Sequence, residues 1–302
     1  MRTLFVVTGP TAVGKTRVSL LLARHLGVPI LNADSRQLFA ELPIGTAAPT
    51  AEEQAAVRHY FVGTHHIGDY YSASMFERDV LALLLPPGEL SGHPCALLSG
   101  GSMMYIDAVC DGIDDIPTID GDTRTLLRHR LADEGLERLV EELRLLDPEY
   151  FAIVDRKNTR RVVHALEIIH MTGRTYTSFR QGEPHSRPFD IVKIGLTRER
   201  AELYERINRR VEQMMADGLE EEARRVYPFK GANSLNTVGY RELFDYFDGQ
   251  GTLAEAVERI QGATRRYCRK QLTWLKRDKR IRWFHPDDTD AILAYTDQAC
   301  PQ

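Results

Sequence analysis

Cysteine is scarce. Only Cys95, Cys110, Cys268 and Cys300 occur among 302 residues, and no two form a C-x-x-C pair. That excludes a zinc site built on paired thiols and a disulfide framework, and it points to a reducing, cytoplasmic setting. Long apolar runs are also missing. No stretch approaches the ~20 residues that a bilayer-spanning helix needs, so no membrane association is expected. The first eight residues carry one arginine and a short apolar run, with no small-residue cleavage site, and read as a strand rather than a signal peptide. A strong charge of one sign is absent as well: 39 basic side chains face 43 acidic ones, a net charge of −4. Taken alone, that speaks against a nucleic-acid partner. The distribution speaks otherwise, because residues 259–282 hold ten Lys or Arg and a single acid, Asp278. A mildly acidic protein with one such segment can still present a local phosphate-binding surface.

What is present is ordinary for a globular protein: 43% hydrophobic and 27% charged residues, enough to bury a sizeable core. Neither internal repeats nor low-complexity segments occur. The opening alternates short apolar runs with helical periodicity. Strands are expected over 4–8, 28–31 and 95–98, and helices over 17–25 and 74–85, the latter stopped by Pro86-Pro87. That alternation implies an α/β fold with a parallel sheet covered on both faces. Residues 122–170 then read as almost wholly helical, with breaks at Gly135 and at Asp147-Pro148. A strand pattern returns over 191–196. The simplest organisation is a core of 1–113 and 188–302 interrupted by an all-helical insertion over 114–187. In the last third, Leu253, Val257, Ile260, Ala263, Tyr267 and Trp274 can share one helix face, leaving the basic residues on the others.

Gly9-Pro10-Thr11-Ala12-Val13-Gly14-Lys15-Thr16 matches G-x-x-x-x-G-K-[ST] between an expected strand and an expected helix. Glycines let successive N–H groups converge, the helix N-terminus adds partial positive charge, Lys15 adds a full one, and the Thr16 hydroxyl can hold Mg²⁺. A di- or triphosphate is expected there. ATPases and kinases usually carry a further acid that serves Mg²⁺ or water, but the strand before Gly100-Gly101 ends in Ser99. The best-placed acid is Asp34. It can serve a magnesium ion, or it can act as a general base on an incoming nucleophile. Asp34-Ser35 and Ser102 also suit helix N-caps. His65-His66 lacks a third ligand at suitable spacing and reads as packing.

Several motifs in one order resemble the tRNA dimethylallyltransferases: the phosphate loop, Asp34-Ser35-Arg36-Gln37, Ile44-Gly45-Thr46 and Gly100-Gly101-Ser102-Met103-Met104-Tyr105. The likeness continues through Asn158-Thr159-Arg160-Arg161-Val162, Arg209-Arg210, Val238-Gly239-Tyr240-Arg241 and Gln271-Leu272-Thr273-Trp274-Leu275. The resemblance implies a P-loop nucleotide-kinase-like core with a helical insertion. It also implies transfer of a dimethylallyl group from its diphosphate to the amine of adenosine 37, beside the anticodon, with Mg²⁺ and without ATP hydrolysis. Position 37 is implied for tRNAs reading codons that begin with U. The end at Gln302, without a zinc finger, resembles the bacterial type. Asp34 is implied as the base. Lys15, Thr16, Arg210 and Ser102 are implied as the groups facing the departing diphosphate. Contacts to the tRNA anticodon stem-loop are implied for Asp34, Ser35, Arg36, Gln37, Ser102, Arg124, Asn158, Thr159, Arg160, Arg161, Val162, Thr237, Val238, Gly239, Tyr240, Arg241 and Glu242.

A basic helix over 265–282 would grip RNA phosphates, and Tyr240, Trp274 and Trp283 are candidates to stack on bases, with core packing the commoner role for the tryptophans. The chain departs from the family pattern at Ser102 (commonly Thr), Ala48 (commonly Lys) and Phe39 (commonly Tyr). A monomer is expected. The competing readings are prenyl transfer to a free adenine nucleotide, an ATP-dependent small-molecule kinase, and a non-catalytic RNA-binding protein. The helical insertion and the basic segment weigh against the first two, and the intact Lys15, Thr16 and Asp34 against the third.

Overall fold

The computed structural model describes residues 3–114, 116–180 and 185–300. They divide into two compact units, Met1–Asp111 with Ser186–Gln302, and Gly112–His185. The first unit is built on a six-stranded parallel sheet. In chain order it contains β1 (Thr3–Thr8), α1 (Lys15–Leu26), β2 (Ile30–Asn32), α2 (Ala51–Ala56), β3 (His59–Tyr60), α3 (Ala73–Leu84), β4 (Cys95–Gly100) and α4 (Met103–Asp111). The insertion supplies α5 (Gly121–Leu146), α6 (Pro148–Ile153) and α7 (Thr159–Thr172). The core then resumes with β5 (Asp190–Leu196), α8 (Arg200–Ala216), α9 (Leu219–Val226), α10 (Tyr240–Phe247), α11 (Leu253–Leu275), β6 (Ile281–Phe284) and α12 (Thr289–Ala299). The strand order is β3-β2-β4-β1-β5-β6.

Every residue of β1 and β4 is buried, as expected of central parallel strands covered on both faces. Successive side chains point to opposite faces and enter different clusters. Leu4 and Val6 join Leu98, Phe76 and Ile106, whereas Phe5 and Val7 join Leu22, Leu97 and Ile207. The sheet therefore carries two cores. Its carboxyl ends hold the loops after β1, β2 and β4 side by side, where ligands bind in open parallel sheets.

The helical unit has its own core, including Leu127, Leu139, Leu143, Val162, Leu166 and Ile169. Both expected breaks are present. Gly135 takes φ 80° inside α5. At the second break, the buried Asp147 carboxylate accepts Tyr150 N–H at 3.0 Å, which caps α6, and Thr177 N–H at 2.8 Å, which anchors the following turn.

Two expectations change near the C-terminus. The basic helix does not run to 282. It ends at Leu275, Asp278 accepts Arg280 N–H at 2.9 Å in a tight turn, and 281–284 pair with β5 as a strand. Arg280 and Arg282 thus leave the basic helix face: Arg280 pairs with Asp111 and Asp278, and Arg282 lies over the Phe284 and Tyr295 rings. The buried face of α11 is Ala256, Ile260, Ala263, Cys268, Gln271 and Leu275, while Tyr267 is 38% exposed.

Candidate active site

The loop between β1 and α1 has the backbone that an anion cradle requires. Gly9 (φ 153°) and Gly14 (φ 110°) occupy conformations that favour glycine, and Ala12 accepts a left-handed φ of 64°. No side chain caps α1, so its first N–H groups remain available to an anion. Lys15 Nζ folds back onto the Gly9 and Pro10 carbonyls at 3.0 and 2.9 Å. Burial pushes its ammonium down to about 8, opposed by the Asp34 charge and reinforced by Arg210.

Three arginines dock on this loop, Arg198 from just before α8 and Arg206 and Arg210 from α8 itself. Arg198 Nε donates to the Val13 carbonyl at 3.0 Å and Arg206 Nε to the Ala12 carbonyl at 2.8 Å. Arg210 Nη1 reaches the Thr11 hydroxyl at 3.5 Å. Arg206 and Arg210 are four residues apart, so they share a helix face. Arg210 was expected here, and Arg206 was missed. Its spacing from Arg210 was the available signal. Both line a cavity of about 750 Å³ with Ala12, Thr16, Pro43, Ile44, Ala47, Ala48 and Pro49. Ala48, where the family commonly has Lys, therefore forms part of an apolar wall facing arginines.

Gln271, quoted in a motif but assigned no role, joins two loops. It is 2% exposed; its Oε1 accepts Thr11 N–H at 2.9 Å and its Nε2 donates to the Gly101 carbonyl at 2.9 Å. A Cβ at Gly101 would stand 2.8 Å from that Nε2, and one at Gly100 would stand 2.1 Å from the Ala33 carbonyl. Gly100 therefore needs glycine, whereas a side chain at Gly101 would have to displace the Gln271 amide.

No helix follows Asp34, so the expected N-cap is absent. Asp34 Oδ1 accepts Arg36 N–H at 3.0 Å and closes a local turn, while its second oxygen has no partner among the described residues. Ser102 does not cap α4 with its side chain either. Its Oγ accepts Ser35 N–H at 2.8 Å and donates to Ser35 Oγ at 3.1 Å. Ser102 N–H meets the Ala33 carbonyl at 3.1 Å. The hydroxyl at 102 thus holds the Asp34 turn. Arg36 donates to the Asn233 and Ser234 carbonyls, and Gln37 Nε2 to the Thr46 and Ala47 carbonyls. Burial lowers the Arg36 guanidinium, with Asp34 opposing.

The Thr16 hydroxyl is exposed on the cavity and makes no hydrogen bond to a described residue. Its position in the first turn of α1, beside an anion cradle, suits a magnesium ion that also touches phosphate oxygens.

Some expected RNA contacts are placed differently. Tyr240 is fully buried, with its hydroxyl on Glu222 at 2.6 Å, so it cannot stack on a base. Glu242 is 8% exposed and caps α10 by accepting Gly239 N–H at 2.8 Å. Val162 is fully buried in the helical core and offers no side chain to RNA. Asn158 caps α7 by accepting Arg161 N–H at 3.3 Å, while Arg160 and Arg161 are exposed. Arg124 and Thr159 lie in the first turns of α5 and α7, both partly exposed. Thr237 and Val238 are partly exposed and Arg241 is exposed. Trp274 Nε1 donates to Asp107 at 2.8 Å with the Arg277 guanidinium over its ring, and Trp283 packs across Gly195. Trp274 also lines a groove with Arg266, Arg269, Lys270 and Arg277. Phe39 is 7% exposed, a place where a bare ring suffices. His66 pairs with Glu41, and His65 packs on Tyr71.

A family model described as IPP transferase matches residues 37–278. The chain is 60% identical over 295 residues to tRNA dimethylallyltransferase 1 of Phocaeicola vulgatus, covering 97% of each. It is 58% identical over 294 residues to the protein of the same name from Bacteroides fragilis, again covering 97% of both. It is also similar to the crystal structure of the full-length tRNA isopentenylpyrophosphate transferase of Bacillus halodurans: TM-score 0.70, 34% identity, 99% of this chain and 96% of that one. A eukaryotic dimethylallyltransferase acting on tRNA matches with TM-score 0.77 over 91% of this chain and 70% of that chain, and at 20% identity it bears on the fold alone. An anion cradle beside an open carboxylate, on a sheet shared with these structures and in a sequence shared with these relatives, places the chain in the IPP transferase family.

Proposed function

We propose that the protein transfers a dimethylallyl group from dimethylallyl diphosphate to the exocyclic amine of adenosine 37, in tRNAs reading codons that begin with U. The observation that carries this reading is the pairing of the phosphate loop with Asp34, in a site whose β4 end offers no acid. The adenine amine is a weak nucleophile. Its lone pair forms the new N–C bond while the carbon–oxygen bond to the diphosphate breaks. The proton passes from the nitrogen to Asp34, and the bonding electrons leave with pyrophosphate. The loop N–H groups, Lys15, Arg206 and Arg210 are placed to meet the charge that grows on the leaving group, usually the largest catalytic contribution. Mg²⁺ held at Thr16 would add further positive charge to the diphosphate oxygens.

The acceptor base must leave its stack to reach Asp34, at a cost of a few kcal/mol. Tyr267, partly exposed on α11 with Asp34 and Arg36 as its electrostatic neighbours, replaces Tyr240 as the aromatic able to receive it. Thr237, Val238 and Arg241 beside the site, Arg124, Asn158, Thr159, Arg160 and Arg161 on the helical unit, and the basic face of α11 are proposed to hold the anticodon stem-loop. Among the described residues no helix is long and apolar enough to cross a membrane. A cytoplasmic monomer is the working form.

Labelled dimethylallyl diphosphate and Mg²⁺ would be supplied with unmodified tRNA, with AMP, or with no acceptor. Label in tRNA alone is expected, and label in AMP would transfer the assignment to a free-nucleotide prenyltransferase. Asp34→Asn is expected to cut the rate by ~10²–10⁴-fold with tRNA affinity retained. Undiminished turnover in that variant removes Asp34 as the base.

A further inference from the structure

Pro43, Ile44, Ala47, Ala48 and Pro49 give an apolar part of the lining of the cavity that Arg206 and Arg210 also line, and the segment 43–49 adopts no regular helix or strand. Backbone N–H groups in such a segment need partners from elsewhere. One buried carboxylate supplies two. Glu222 on α9 is 0% exposed and accepts Ile44 N–H at 2.9 Å, Gly45 N–H at 2.8 Å and the Tyr240 hydroxyl at 2.6 Å. All three donors are neutral, so the carboxylate is tolerated only because it is satisfied from three sides. The fit is close. A Cβ at Gly45 would stand 2.4 Å from Tyr240 Oη and 2.6 Å from its Cζ. From the other side, Gln37 Nε2 holds the Thr46 carbonyl at 3.1 Å and the Ala47 carbonyl at 2.9 Å, and Gln37 belongs to the turn that carries Asp34.

We infer that Glu222 and Tyr240 are positioning residues that set the donor-side wall of the active site, with Gln37 holding that wall in register with Asp34. Neither residue touches substrate. Both act through the Ile44-Gly45 backbone, and this assigns Tyr240 to donor binding rather than to RNA contact. The inference rests on the reading of the cavity as the diphosphate site, and its test is chosen to separate the two.

Glu222→Gln keeps size but replaces one acceptor oxygen with a donor; Tyr240→Phe keeps the ring and removes only the hydroxyl. Pyrophosphate binding with Mg²⁺ is measured by calorimetry without tRNA, and KM for donor and for tRNA, kcat and thermal melting are measured on the same preparations. Glu222→Gln is expected to raise the pyrophosphate Kd and the donor KM by about tenfold, and Tyr240→Phe by about threefold, within the range for hydrogen bonds to charged and neutral partners. The tRNA KM and kcat are expected to stay within about twofold, since a wall shift acts on ground-state donor binding. A merely structural role would lower melting and the active fraction without moving the donor KM. Unchanged pyrophosphate Kd and donor KM overturn the inference, as does a loss confined to the tRNA KM. A wild-type protein that binds pyrophosphate but does not prenylate tRNA refutes the proposed function while leaving the calorimetric test of the wall intact.

Discussion

At the scale of single residues, the proposed diphosphate site would tie binding to pH through Lys15. Its ammonium is held near 8, below its ordinary 10.5, chiefly by burial. Only the charged form attracts a diphosphate. Because pyrophosphate itself titrates near neutral pH, the comparison is with Lys15→Met: the affinity advantage of the wild type at fixed Mg²⁺ is expected to be flat up to about pH 8 and then to fall by about tenfold per pH unit toward the ordinary lysine range. Calorimetry across pH on both proteins measures this, and a wild-type advantage that does not decline above pH 8 would remove Lys15 as the titrating group. Stability runs the other way. Between about 8 and the ordinary 10.5 the unfolded chain keeps a proton on Lys15 that the folded chain has released, so the contribution of this group to folding grows as pH rises through that window.

At the scale of elements, α11 does two jobs on two faces. Its buried face places Gln271 between the loops after β1 and β4. Gln271→Leu strands Thr11 N–H and the Gly101 carbonyl, and is expected to cost about 2 kcal/mol in urea unfolding, with weaker pyrophosphate binding. A variant of wild-type stability and affinity would show that the loops hold themselves. Its outer face carries Arg266, Arg269 and Lys270 on the groove beside Trp274. Replacing the three with alanine is expected to weaken tRNA binding and to reduce the slope of log K against log salt by about 2–3, as three lost phosphate contacts would. An unchanged slope would place the tRNA backbone elsewhere. That this segment is helical was legible in the sequence, but its buried face was not: Tyr267 and Trp274 were expected on it, and Cys268, Gln271 and Leu275 hold it instead. A glutamine on a buried face differs from a solvated one only once its two loop partners are in place.

At the scale of the whole molecule, one charge network joins the middle of the chain to its end. Lys193 on β5 is 2% exposed and meets Asp278 at 2.6 Å, and Arg280 joins Asp278 to Asp111. Burial opposes the charge on Asp278, but hydrogen bonds from Arg280 and Lys193 outweigh it and hold the carboxyl well below its usual range. Asp111 is lowered too, chiefly by its hydrogen bond from Arg280, whereas burial pushes Asp107 up and gives it the opposite sign. The contribution of Asp278 and Asp111 is fully present above about pH 4 and drains away as pH falls through their folded values. Asp278→Asn is expected to destabilise the fold by about 2 kcal/mol at pH 7, because buried Lys193 loses its hydrogen-bonded carboxylate and keeps only the longer ion pair to Asp111 at 3.7 Å. Urea unfolding across pH checks this, and the deficit should shrink as acid removes the same charge from the wild type. A constant deficit from pH 7 to pH 3 would assign the loss to packing instead.

By itself the sequence determined the alternation of strand and helix, the glycine-rich loop between β1 and α1, the place of Asp34 just after β2, and the breaks at Gly135 and Asp147 in the helical insertion. These depend on glycine placement, short apolar runs and capping residues, all of which act within a few positions. Tertiary structure alone decided that Tyr240 is buried against Glu222, that Arg206 stands beside Arg210 on the loop, and that Arg280 and Arg282 leave the basic helix for a turn and a sheet edge. Each of these depends on a partner far away in the chain: Gly45 for Tyr240, Ala12 for Arg206, β5 for 281–284. A local pattern can state that a side chain is polar or aromatic, but only the packed fold supplies the group that it meets.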